Sequence, residues 1–151
     1  MKKPLVLSQR DPRWAGQHIG KSNIIVGRYG CLITCISAIS DWFGEYKEPG
    51  YLAKHLDFTA DGLILWASIG KTLKFHMETR FYGDSPVKIK DGLVNPKKCV
   101  VLQVQGYHWV WCLGKIPLTN IYRIMDPWTG KTSTTLAYKR QITGGAILTL
   151  N

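Results

Sequence analysis

The chain has 151 residues, 45% of them hydrophobic and 20% charged, which suits one soluble domain and leaves too little for two well-packed cores. Twenty Lys and Arg against 10 acidic residues give a formal net charge of +10, a surface that draws polyanions. The basic residues are scattered without any nucleic-acid motif, and no apolar stretch is long enough to span a membrane. Neither a nucleic-acid partner nor membrane insertion is therefore expected, and an anionic cell wall is the better match to the charge.

At the N-terminus, Leu5-Val6-Leu7 follows Lys2 and Lys3. That run is too short for a secretory h-region, so synthesis in the cytoplasm is expected, with later release to a cell wall or carriage in a phage particle. Residues 4–29 read as irregular, broken by Pro4, Pro12, Gly16, Gly20 and Gly27, with a short strand at 23–26. Over 31–43 the spacing predicts a helix. Leu32, Cys35, Ile36, Ile39, Trp42 and Phe43 recur at helical intervals, Ile33 widens the stripe, and Gly44 stops it. So much apolar surface makes this helix central, packed on most sides.

Shorter helices are expected at 49–55 and 61–73. The second half changes character. Segments 74–82, 99–105, 108–114, 121–125, 132–138 and 146–150 are rich in Val, Ile, Thr and aromatics and read as strands. Between the first two lies 83–98, a surface loop with room for a turn of helix. Helices precede strands, so the fold class is α+β, a helical half on an antiparallel sheet. No linker divides residues 1–151, and a monomeric single domain is expected.

The four cysteines are Cys31, Cys35, Cys99 and Cys112. Without a signal peptide, free thiols are the expectation. Their spacing is not a zinc pattern, so neither a metal nor any other cofactor is expected. Cys31 stands apart. It opens the long helix in "GRYGCLITC", where unpaired N–H groups and the partial positive charge favour thiolate and make a nucleophile. Gly30 before it leaves room for a substrate backbone. Cys35 and Cys112 read as core.

A nucleophilic cysteine needs a base, and the base an orienting group. In "GYHWVWCLGKIPLTNIYRIMDPWTGK", two strand-like segments flank a loop at 115–120. A hairpin folded about that loop sets His108 opposite Asp126, although a slip of one residue would separate them onto opposite faces. His18, His55 and His76 lack such a partner and read as surface or core residues. An oxyanion also needs donors. The Cys31 N–H supplies one, while Gln9 in "LSQRDPRW" reads from its spacing as an ordinary exposed glutamine.

The stretches "LSQRDPRWA", "YGCLITCISAI", "HWVWCLG" and "YRIMDPWTG" resemble, in this order, the bacteriocin-leader-peptidase-like (double-glycine-peptidase-like) branch of the papain-fold cysteine peptidases. The resemblance implies a papain-like fold, with Cys31 as nucleophile, His108 as base and acid, Asp126 as orienter and Gln9 as oxyanion-hole donor. It also implies that Asp11 and Trp14 hold Gln9 in place. Leu-Ile-Thr follows Cys31 where many relatives carry a Gly-Pro-Thr type run. The group includes leader peptidases and peptidoglycan-cleaving lysins. No segment reads as a transporter, so the expected activity is that of a cysteine peptidase or amidase on peptidoglycan peptides. A processing protease for a specific protein and a catalytically idle peptide-binding module are the alternatives.

Overall fold

Six strands form one antiparallel sheet in a computed structural model that describes residues 2–151. The strands are β1 (Phe75–Tyr82), β2 (Lys98–Val104), β3 (His108–Lys115), β4 (Tyr122–Asp126), β5 (Lys131–Thr134) and β6 (Ile142–Leu150). Their order across the sheet is β1-β6-β2-β3-β4-β5, so the last strand lies between the first two. Before the sheet come α1 (Val26–Tyr29), α2 (Cys31–Trp42), α3 (Pro49–His55) and α4 (Ile69–Thr72), and α5 (Pro86–Val94) follows β1. The expected α+β architecture is the one observed.

Strand alternation divides the core in two. Val101, Trp109, Trp111, Met125 and Leu148 point to the face covered by α2 and its neighbours. Val100, Leu102, Val110, Ile124 and Ile147 point to the other face, where Ile89 of α5 packs. Both faces are covered, which is why these strands are nearly continuously apolar. Helix α2 is buried from Cys31 through Ser40, as its all-round apolar character requires. Ile36 and Ile39 are fully buried. Each stabilises the fold by roughly 1.5–3 kcal/mol relative to exposure. Among the described residues no helix is long and apolar enough to cross a membrane.

Four local expectations change. The strand at 23–26 is a single bridge between His18 and Ile25, after which the chain turns into α1. Helix at 61–73 begins only with a 3-10 turn at Trp66–Ser68, because Gly62 has φ +80° and Phe58 bridges Ile64 in a small hairpin. The 83–98 loop contains the nine-residue α5. Ser85 caps it by accepting the Lys88 N–H, and Pro86 starts it with the φ a helix needs. Strand 132–138 ends at Thr134 and gives way to a 3-10 turn, Thr135–Tyr138, with Lys139 and Arg140 at φ +55°.

Candidate active site

Cys31 is the first residue of α2, and its side chain is 8% exposed. The tight α1–α2 junction explains Gly30 differently from the sequence reading. Its φ is −85°, which any residue adopts, but a Cβ there would lie 2.5 Å from the Val26 carbonyl oxygen. Gly30 therefore serves the close approach of two helices.

His108 opens β3 and Asp126 ends β4, and both side chains are buried. The ladder pairs Trp111 with Met125 and Cys112 with Ile124. Continued to the strand ends, this register is two residues from a direct His108–Asp126 pair. A shift of two preserves the face, so the side chains meet as diagonal neighbours. His108 Nε2–H donates to Asp126 Oδ1 at 2.8 Å, leaving Nδ1 as the ring nitrogen free for another partner.

Asp126 is a hub. The Trp128 N–H donates to Oδ1 at 2.9 Å, and the Tyr138 hydroxyl donates to Oδ2 in a short hydrogen bond. Burial works against its charge, but hydrogen bonds from His108, Tyr138 and the Trp128 backbone together hold its carboxyl below the ordinary range. On the ring, burial likewise disfavours a charge. The hydrogen bond to Asp126 and the closeness of the Cys31 sulfur, with the charges of both, outweigh it and push the His108 pKa up to about 9. The imidazole and carboxylate thus form one buried hydrogen-bonded pair.

Gln9 is 1% exposed, far from the exposed residue its spacing indicated. Its Nε2 donates to the Gly27 carbonyl at 3.3 Å, and its Oε1 has no partner among the described residues. One hydrogen of Nε2 is thereby fixed and the second remains available for another acceptor. The segment is clamped to the turn after Asp126. The Gln9 N–H donates to Pro127 O at 2.9 Å, and the Arg10 guanidinium donates to Trp128 O at 2.9 Å while lying over that indole. Gly130 has φ +67°, and a Cβ on it would meet Ser8 Cβ at 2.8 Å, so this turn needs glycine twice over. Trp14 Nε1–H and the Asp11 N–H both donate to the Ser8 carbonyl, which holds the segment from its other side.

The remaining candidates are elsewhere. His18 bonds to the Ser22 carbonyl, His76 to the Asn151 side chain, and His55 stacks on Tyr51. All four cysteines are free thiols. Burial raises the Cys35 thiol well above its ordinary value and those of Cys99 and Cys112 to about 12. Tyr138 was invisible to the sequence reading, which placed it in a strand. It reaches Asp126 only because β5 ends early and a 3-10 turn brings it back, with its ring 5.2 Å from that of His108. Beside Cys31 opens a cleft of about 520 Å³, walled in part by Trp66, Arg80, Gln103, Tyr107 and Trp109.

No family model matches the sequence, and no curated protein does. Among solved structures, the chain is similar to the peptidase domain of Streptococcus ComA, a bi-functional ABC transporter involved in a quorum sensing pathway. The TM-score is 0.57 at 17% identity, over 82% of this chain and 93% of that one. This chain has the papain-like cysteine peptidase fold. The papain-like fold expected from the four sequence stretches is thus the one found. The helix bearing Cys31 and the sheet bearing His108 are its two halves.

Proposed function

We propose that the protein is a cysteine peptidase or amidase in which Cys31 is the nucleophile, His108 the base and acid, Asp126 the orienting carboxylate and Gln9 an oxyanion donor. The observation that carries this reading is the His108 imidazole, bonded through Nε2 to a buried carboxylate and close enough to the Cys31 sulfur for that sulfur to favour its charged form. Sγ attacks the amide carbonyl carbon, and the oxygen takes up the electron pair. The second Nε2–H of Gln9 and the Cys31 N–H at the start of α2 stabilise that oxyanion. As it collapses, the C–N bond breaks and His108 Nδ1 gives its proton to the leaving amine. Water then attacks the thioester, losing a proton to Nδ1, and the acid leaves with the thiolate restored.

The substrate we infer is a stem or bridge peptide of peptidoglycan, in a bacterial or phage setting. A net charge of +10 favours encounter with an anionic wall, and lysins are among the proteins the sequence resembles. The protein would meet this substrate after release from the cell or delivery by a phage particle, acting as a monomeric single domain. Purified walls incubated with wild-type protein are expected to release peptide fragments, and with Cys31→Ala to release none. Equal release by both would contradict the assignment.

Gln9→Ala is expected to lower kcat by about 10²- to 10³-fold, the usual cost of one oxyanion donor, with little change in KM. Steady-state kinetics on a chromogenic peptide amide check it. A change confined to KM would instead make Gln9 a substrate-binding residue.

A further inference from the structure

The cleft beside Cys31 contains a cation without a counter-ion. Arg80 leaves edge strand β1 and is half-buried, yet among the described residues no carboxylate forms a salt bridge with it. Its Nη1 donates to the Gly145 carbonyl at 3.0 Å and to the Phe81 carbonyl, which fixes the guanidinium in position. Aromatic rings surround it, Tyr82 at 4.2 Å, Trp109 at 5.0 Å and Trp66 at 6.0 Å from Cζ. Nε and Nη2 donate to no acceptor among the described residues. Gln103 lines the same cleft, and its Oε1 accepts the Thr143 hydroxyl at 3.3 Å, which leaves its two amide hydrogens.

A cation taken partly out of water and left unpaired costs stability, and rings alone offset only part of that cost. A guanidinium with a fixed fork and two free donor nitrogens matches a carboxylate in bidentate geometry. Among the described residues the only acidic one in the cleft, Asp61, is exposed and forms no ion pair with Arg80.

Building on the peptidase reading, we propose that Arg80, assisted by Gln103, is an anion-recognition site that selects peptides carrying a free carboxylate next to the bond presented to Cys31. In a peptidoglycan stem peptide that group is the α-carboxylate of isoglutamate, which isoglutamine lacks. The cleft is then selective for unamidated stems.

The test measures binding by calorimetry to Cys31→Ala protein, with two synthetic stem tetrapeptides that differ only as isoglutamate or isoglutamine. The isoglutamate peptide is expected to bind at least tenfold more tightly. Adding Arg80→Gln should equalise the two, with a melting temperature within a few degrees of the Cys31→Ala protein as the check on folding. Adding Lys115→Gln, an equal loss of charge on the α5 side of the sheet, should preserve the difference. Equal affinities in Cys31→Ala, or a preference that survives Arg80→Gln, overturn the proposal. Binding is read without the sulfur, so a wild type that selects isoglutamate but cleaves nothing would refute the hydrolase reading and leave the Arg80 site standing.

Discussion

Cys31→Ala is expected to lower amide hydrolysis on the order of 10⁶-fold, the scale seen when a nucleophile that acts as a unit with its base is removed. No other sulfur can replace it. Cys35, one turn along α2, is fully buried with its thiol directed at the Trp109 carbonyl, 3.7 Å away. Cys99 and Cys112 are buried in the sheet. The substitution removes one atom at a helix start and places a strong helix former there. A melting temperature within a few degrees of wild type should therefore accompany the loss and separate chemistry from folding. Retained turnover would remove Cys31 from the mechanism.

Asp126→Ala is expected to cost on the order of 10⁴-fold, as loss of an orienting carboxylate does elsewhere. Three donors lose their acceptor at once, His108 Nε2–H, the Trp128 N–H and the Tyr138 hydroxyl. The ring is then free to turn, and the turn holding Gln9 loses its anchor. Asp126→Asn should recover part of the rate. Its oxygen can still accept from His108 if the new amide nitrogen faces Tyr138, whose hydroxyl can rotate to accept. The negative charge is gone, however, so the alkaline limb of the pH–rate profile, expected at about 9 in the wild type, should move to lower pH. Kinetics of the three proteins between pH 6 and 10 check this, and an unmoved limb would contradict it.

The same groups set the pH dependence of stability. His108 has its folded pKa raised from an ordinary 6.5 to about 9, so its contribution is full below about 6.5 and is lost as pH rises through 9. Asp126 is lowered from an ordinary 3.8, so its contribution is present above that value and is lost as pH falls through the folded pKa. Both contributions are held together between these limits, where the site is charged.

How much of this could be read from the chain differs by element. Helix α2 was legible because its apolar residues recur at one period and Gly44 ends it with φ +87°. The His108–Asp126 pair was legible because two strands joined by a short loop have few ways to meet. The bulge in the β3–β4 ladder between Cys112 and Gly114 left no mark in the composition, and the true register was two residues away. Helix α5 had a signal, Ser85-Pro86, masked by Gly92. That glycine exists because a Cβ would lie 2.4 Å from Val100 Cγ2, a packing demand and not a helix breaker. Gln9, Tyr138 and Arg80 could not be placed from spacing. Gln9 depends on contacts made more than 100 residues along the chain, Tyr138 on an early strand end, and Arg80 on β6 inserting between β1 and β2.

The most direct test of the sulfur–imidazole pairing is alkylation of the native protein by iodoacetamide at pH 7, followed by peptide mass mapping. One carbamidomethyl group is expected, on Cys31, added at least tenfold faster than to a free cysteine and slowed by His108→Ala, while Cys35, Cys99 and Cys112 react only after unfolding. A Cys31 that reacts no faster than a free thiol, at a rate indifferent to His108→Ala, would contradict it.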